Sequence, residues 1–163
     1  MPEAATRRRA ERDKREGKAP STQAGEYVRE EIEHVREGKH GARSTKQAIA
    51  IGLSKARREG VKVPAKNASK ATKKKAAQDT KAAREHEPVS KTRSRATTKA
   101  LKREGHSAAS KKALSTQARK AAKKRSASDR SEAAKKAART KGASGRSAAA
   151  RKAAHTRETH AHH

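Results

Sequence analysis

The side chains of this chain that could do chemistry are lysines and arginines, and most of them stand in segments with few acids. The sequence has 45 Lys and Arg residues against 17 Asp and Glu, for a net charge of +28. The part that follows Val63 holds 29 of the bases and only seven of the acids. Each cation that neutralises a nucleic-acid phosphate releases condensed counterions, so these segments favour contact with a polyanion backbone over reading of bases.

The bases are also regularly spaced, because the end of the chain repeats itself every sixteen residues. Ser128–Lys141 aligns with Ser144–Arg157 at nine of fourteen positions, and Gln117–Arg125 fits the same frame more loosely. Each full unit has a serine at its start, two Ala-Ala steps and a basic pair, a pattern that favours a capped helix. The segment resembles the lysine- and alanine-rich tails of linker histones in composition, without a shared motif.

These segments predict a nonspecific, histone-like, nucleoid-associated protein that binds the phosphate backbone of DNA and bridges or compacts it. The sequence has no Phe or Trp and a single Tyr, so it lacks the stacking platforms of single-strand binders, which favours duplex DNA over RNA. An RNA- or ribosome-associated protein and an interaction module for acidic partners remain open as alternatives. The residues predicted to contact nucleic acid are Lys73, Lys74, Lys75, Arg93, Arg95, Lys111, Lys112, Arg119, Lys120, Lys123, Lys124, Arg125, Arg130, Lys135, Lys136, Arg139, Arg146, Arg151 and Lys152.

One stretch, Ser44–Gly60, is the best candidate for a folded nucleus that positions these bases. It gathers Ile49, Ile51 and Leu53, which are rare residue types here. Ser44 and the glutamine three residues later form a capping box, and Gly60 supplies a stop. The spacing predicts a helix whose apolar stripe contains Ile49, Leu53 and an alanine three residues further on. We expect the surplus apolar surface to support self-association.

The partner of this helix is predicted just upstream. Apolar residues recur there at helical spacing, with Ser21 or Thr22 as cap and Gly38 as stop. We therefore expect a helical hairpin over residues 21–63, with an acidic first helix and a second helix that is basic on its outer side. The apolar positions of the first helix are Ala24, Val28, Ile32 and Val35, flanked by Tyr27; the outer bases of the second are Lys46, Lys55, Arg57 and Arg58.

The run Ser44–Arg58 also resembles the signature of a family of small, strongly basic bacterial proteins of unknown function. That signature reads S-x-K-Q-A-I-A-I-(G/A)-L-S-x-A-R, and this chain has S-T-K-Q-A-I-A-I-G-L-S-K-A-R. The likeness is looser over Tyr27–Lys39. It implies a bacterial origin and a compact helical module, and it brings no catalytic residues with it.

The other segments contain too few large apolar residues to predict a core, because Ile, Leu and Val together number only 11 in the whole chain. We predict a charged disordered tail over residues 1–20, a Lys/Ala/Ser linker over 64–87 and a basic Ala-rich repeat tail over 126–163. Residues 88–125, which begin at Pro88, are predicted as a degenerate copy of the hairpin, unless the likeness is one of composition alone. The predicted fold is thus mostly α, a short hairpin with a long, largely disordered or conditionally helical basic tail.

Several kinds of function find no support in the sequence. It has no cysteine, no apolar signal segment and no membrane-spanning run, so we expect a cytoplasmic protein. No phosphate loop, nucleophile elbow or HExxH motif is present, so we expect no enzyme, cofactor or small-molecule substrate. His155, His160, His162 and His163 offer metal ligands on a terminus, where we expect exposed histidines and no metal. A helix-turn-helix with Ser44–Arg58 as recognition helix is a further alternative.

Overall fold

The computed structural model describes residues 2–65, 68–85 and 90–161, and in them the secondary structure is entirely helical. The described part divides into two compact units, Met1–Gln117 and Ala118–His163. None of its helices has the length and apolarity needed to cross a membrane. The helices are α1 (Ala4–Arg15), α2 (Pro20–Arg36), α3 (Thr45–Arg58), α4 (Lys70–Arg84), α5 (Lys91–Leu101), a 3₁₀ turn (Ser107–Ala109), α6 (Lys111–Lys123) and α7 (Ala127–Ala161).

The predicted hairpin is present as the antiparallel pair of α2 and α3. The start of α2 packs on the end of α3 through Tyr27 and Ala56, and the end of α2 packs on the start of α3 through Val35 and Ala48. The Oγ of Ser44 accepts a hydrogen bond from the backbone N–H of Gln47 at 3.2 Å, as the capping box predicts. The glycines predicted as stops, Gly38 and Gly60, both have positive φ. The start of α2 differs, since Ala19 is its N-cap and Pro20 its first residue.

The face of α3 that meets α2 differs from the predicted stripe. It consists of the small residues Thr45, Ala48, Gly52 and Ala56, while the larger Ile49, Ile51 and Leu53 are only partly buried. A Cβ built on Gly52 would lie 2.6 Å from the Cα of Val28. The missing side chain therefore lets two backbones approach closely, which a prediction based on large apolar residues does not detect.

At the N-terminus, where a disordered tail was predicted, helix α1 packs on α2. Ala10 joins the cluster of Ala24 and Tyr27, and the Nε of Arg9 lies 2.6 Å from an Oε of Glu26. Because the mixed charges of α1 face the acidic α2, ion pairs as well as apolar contacts hold α1 on α2. Burial at this site raises the pKa of Tyr27 to about 12, so the phenol is neutral at ordinary pH.

The prediction of a long, largely disordered or conditionally helical tail is wrong. Helices α4 to α7 occupy most of the described residues after Val63. The prediction relied on large apolar residues, whereas Ala, Lys and Arg are strong helix formers. Serine caps add to this propensity: Ser69, Ser90 and Ser110 each accept a backbone N–H three residues later. The segment predicted as a linker over 64–87 thus contains a capped helix, α4.

The middle of the predicted second hairpin docks on the first hairpin. The 3₁₀ turn supplies Ala108 and Ala109 to the cluster of Val35 and Ala48, and Leu114 packs beside them. Thr45 Oγ1 donates to the carbonyl of Ala108 at 2.6 Å. Helices α5 and α6 make no contact with each other in the described residues, so this segment is not a second packed hairpin. Pro88, its predicted start, lies outside the described residues.

Helix α7 is broken between the two sequence repeats. Gly142 has φ 66° and ψ 177°, which is not helical, so residues 127–141 and 143–161 form two helical halves. Each half holds one repeat almost entirely. A guanidinium nitrogen of Arg146 donates to the carbonyl of Ala138 at 3.0 Å and so satisfies one of the free carbonyls at the end of the first half.

Candidate nucleic-acid interface

All nineteen bases predicted to contact nucleic acid have exposed side chains. Most stand on α4 to α7, and Lys124 and Arg125 follow α6 directly. Among the described residues only two of the nineteen form ion pairs, Lys75 with Asp79 at 2.8 Å and Lys135 with Glu132 at 3.3 Å. The other charges are therefore open to an external anion.

Helix α5, in the unit Met1–Gln117, is an exposed basic helix. None of its residues is buried, and it contains four bases and no acid. With the residues that follow it, α5 forms a shallow open groove that combines basic side chains with hydroxyls. The groove is lined by Ser94, Arg95, Thr98, Lys99, Lys102 and Arg103. Hydroxyl and cationic side chains are the groups that contact phosphate oxygens in protein–DNA interfaces.

Besides Ser94, four residues that line the α5 groove were absent from the sequence prediction. Arg93 and Arg95 were predicted, but Arg93 does not line the groove, whereas Thr98, Lys99, Lys102 and Arg103 do. Their spacing carries a detectable signal, because residues four apart on a helix lie on one face. In Ser94–Arg103 no acid interrupts that face.

Helix α4 exposes Lys73 and Lys74 while another face of the helix holds a buried carboxylate. Asp79 is fully buried and accepts from Ser54 Oγ at 2.7 Å and from Lys75 Nζ at 2.8 Å, with the Nε of Arg58 at 3.4 Å. Burial opposes ionisation of Asp79, but hydrogen bonds from Lys75 and Ser54 outweigh it and lower its pKa. This anchor turns Lys73 and Lys74 toward solvent.

The repeated helix α7 presents matched bases in its two halves. At an offset of sixteen, Arg130 corresponds to Arg146, Lys135 to Arg151 and Lys136 to Lys152, and all six are exposed. The unit Ala118–His163 thus holds two copies of one basic pattern, separated by Gly142. Such copies suit a regular polyanion, whose charges also repeat along its length.

The structure does not bring the four bases predicted for the outer face of α3 together. Lys46 is exposed, but Lys55 faces the buried glutamates of α2 and Arg57 is 7% exposed, with its Nε 3.3 Å from the carbonyl of Val63. Arg58 faces Asp79 of α4. Three of the four therefore hold the hairpin and its neighbours together.

These contacts also bear on the helix-turn-helix alternative. A recognition helix needs a free face to enter the major groove. In this structure α3 lies between α2 and α4, and its Ser54 and Arg58 are engaged by Asp79 of α4. The most exposed residues of α3 are Lys46, Ala50 and Arg58, and the last of these is held by Asp79.

Similarity to known proteins is found over the hairpin. A model of a family of unknown function (DUF6496) matches residues 13–67. The matched range holds α2, α3 and the run Ser44–Arg58, while the basic helices α4 to α7 follow it. No curated protein and no solved structure matches the chain. Over this third of its length, the chain is similar to a family whose function is unknown.

Proposed function

We propose that this protein binds duplex DNA nonspecifically through the exposed bases of α4 to α7 and acts as a nucleoid-associated protein. The observation that carries the proposal is that few of the exposed bases have an acidic partner within the described residues. Nineteen exposed bases stand on or directly after helices with few acids, and among the described residues only Lys75 and Lys135 of the nineteen form ion pairs. Such charges contact phosphates and release counterions without reading the base sequence.

The helical state of these segments favours binding. A flexible basic tail loses conformational entropy when it settles on a surface, at a cost of roughly 1–2 kcal/mol per ordered residue. Helices that already exist avoid most of that cost, and their bases keep a fixed spacing. In this proposal the hairpin is a scaffold, since Arg29, Lys39 and Lys55 pair with its own acids, and the protein is a binding protein, not an enzyme.

Bridging or compaction of DNA follows from the presence of bases in both units. The groove of α5 belongs to Met1–Gln117 and the matched bases of α7 to Ala118–His163. Two binding elements on one chain raise each other's effective concentration at the polyanion and allow contact with two duplexes.

The α5 groove provides the sharpest test. The variant R95Q/K99Q/K102Q/R103Q removes four charges from it, and the control R8Q/R12Q/R15Q/R29Q removes four exposed charges from α1 and α2. If all four groove bases contact phosphates, the slope of log K against log salt becomes shallower by about 3 to 4 in the first variant. The control should change the slope by less than half as much. Equal effects of the two variants would show that only net charge matters and would reject α5 as a binding element.

The RNA and acidic-partner alternatives are tested with the same variants. Structured RNA and polyphosphate are added as competitors of a labelled DNA duplex of equal charge. The proposal expects DNA to bind at least as tightly as RNA. If the protein binds RNA more than tenfold (~1.4 kcal/mol) more tightly than DNA, RNA and not DNA is the cellular target.

A further inference from the structure

Helix α2 contains two adjacent glutamates whose carboxylates are buried. Glu30 is 2% exposed and Glu31 is fully buried. The Nζ of Lys55 lies 2.6 Å from Glu31 Oε2 and 3.5 Å from Glu30 Oε1. Neither oxygen of Glu31 has a hydrogen bond of regular geometry within the described residues. Two buried carboxylates thus share one lysine, and a buried charge without full compensation is strongly unfavourable.

His40, from the turn between α2 and α3, faces the second oxygen of Glu31. Its Nε2 lies 3.1 Å from Glu31 Oε1, and its Nδ1 lies 3.0 Å from the carbonyl oxygen of Gly41. A carbonyl only accepts, so Nδ1 carries the proton and donates it. In a ring protonated only at Nδ1, the lone pair of Nε2 then points at a carboxylate oxygen, and a metal cation bound by both atoms would remove the repulsion between them. Histidines that bind metals commonly donate their other N–H to a backbone carbonyl in this way.

His34 completes a set of three ligands. It stands three residues after Glu31 on α2, and residues at this spacing share a helix face. Its Nε2 lies 3.0 Å from Glu3 Oε1, a carboxylate contact of the kind that orients histidine ligands. One ligand atom each of Glu31, His34 and His40 lies within 4.8 Å of the others. Bonds of about 2.0–2.2 Å to a tetrahedral ion place ligand atoms about 3.3–3.6 Å apart, so small side-chain shifts close the site.

We propose that Glu31, His34 and His40 bind a divalent transition-metal ion of the Zn²⁺ class. Two imidazoles and a carboxylate are a known zinc ligand set that leaves a fourth position for water. The ion supplies the positive charge that Lys55 alone does not, and it ties α2 to the turn that leads into α3. This site is independent of DNA binding, because it lies in the hairpin and uses none of the nineteen exposed bases.

The test requires that the histidines near the C-terminus do not compete for metal. The parent is therefore the full chain with H155A/H160A/H162A/H163A, titrated with Zn²⁺ by calorimetry and with Co²⁺ by visible absorption. We expect one ion per chain, the intense absorption of four-coordinate Co²⁺, and a rise in Tm of about 5 °C or more at saturating Zn²⁺. Absence of saturable binding at one equivalent would overturn the proposal.

Single variants of this parent identify the ligands. E31Q, H34A and H40A should each weaken Zn²⁺ binding at least tenfold, whereas H106A, at an exposed histidine outside the cluster, should leave it unchanged. Retention of parent affinity by E31Q or H40A would reject this ligand set. If a variant loses its helical circular dichroism without metal, the Co²⁺ spectrum of the parent decides: a four-coordinate spectrum with histidine ligation supports the site, and its absence overturns it.

Discussion

At the scale of single residues, the fold depends on positions where a side chain is absent or a charge is buried. Gly52 permits the contact of α2 with α3, because a Cβ there would meet the backbone of Val28. Asp79 joins α4 to α3 through Ser54 and Arg58, and Lys75 of its own helix adds a further ion pair. Neither residue stands out in the sequence, where glycine suggests a break in a helix and aspartate a solvated surface.

Replacing Gly52 with alanine should destabilise the hairpin by about 1–3 kcal/mol, because the added Cβ would overlap with backbone that has little room to move. The control is Gly25 of α2, around which a Cβ meets nothing within 4 Å. There G25A should stabilise the helix by about 0.5–1 kcal/mol. Thermal unfolding followed by circular dichroism measures both changes. Equal effects of G52A and G25A would show that α2 and α3 do not pack through Gly52.

Replacing Asp79 with asparagine should release α4 from α3, at a cost of roughly 1–3 kcal/mol at pH 7. The pKa of Asp79 is lowered below its ordinary value of 3.8, so its stabilising contribution is present above about pH 4 and disappears as pH falls through the folded-state pKa. The difference in Tm between wild type and D79N should therefore be largest near neutral pH and should close below about pH 4. E85Q, at an exposed pair with Lys81, is the control and should show no such dependence. A gap that stays constant with pH would contradict the ionised anchor.

At the scale of elements, helix propensity and capping decide the structure of the basic segments. The sequence predicted α2, α3, the capping box at Ser44 and the glycine stops, because each depends on local signals. The helices α4 and α7 lie in segments that were wrongly predicted as a linker and as a disordered or conditionally helical tail, since the prediction weighed large apolar residues and undervalued alanine with serine caps. The docking of Ala108 and Ala109 depends on distant contacts that no local pattern reveals.

The break in α7 should disappear when Gly142 is replaced by alanine. Its φ of 66° and ψ of 177° suit glycine but strain other residues, and alanine favours a continuous helix by about 1 kcal/mol. G142A should therefore give helical chemical shifts at residues 141–144 and a stronger helical dichroism signal. The control G145A lies inside the second half without positive φ and should leave the break in place. Unchanged shifts in G142A would mean that the break does not depend on the glycine.

At the scale of the whole molecule, charge separates the hairpin from the rest of the chain. The hairpin region, residues 21–63, holds nine bases and six acids, whereas the remainder after Val63 holds 29 and seven. The sequence shows this distribution and led to the choice of the nineteen bases, which are all exposed in the structure. It did not predict the groove of α5 or the cluster of Glu31, His34 and His40, because both depend on packing.

Self-association through the hairpin remains a prediction. Ile49 and Ile51 are still partly exposed beside the packed face of α3, and apolar surface of this kind favours a second copy. Light scattering on the free protein at high concentration should give a mass above the monomer value of 17.6 kDa. I49K/I51K should restore the monomer, whereas a monomeric wild type would reject the prediction.

The salt dependence of binding by the full chain tests the central claim most directly. Binding to a DNA duplex of about 30 base pairs is measured from low to moderate salt, beside structured RNA of equal length. Ten or so phosphate contacts predict a slope of log K against log salt of roughly −9, and at least half of that is expected here. The variant with Arg130, Lys135, Lys136, Arg146, Arg151 and Lys152 all replaced by Gln should have a clearly shallower slope. A wild-type slope shallower than roughly −2, or an unchanged slope in the variant, would contradict binding through the basic helices.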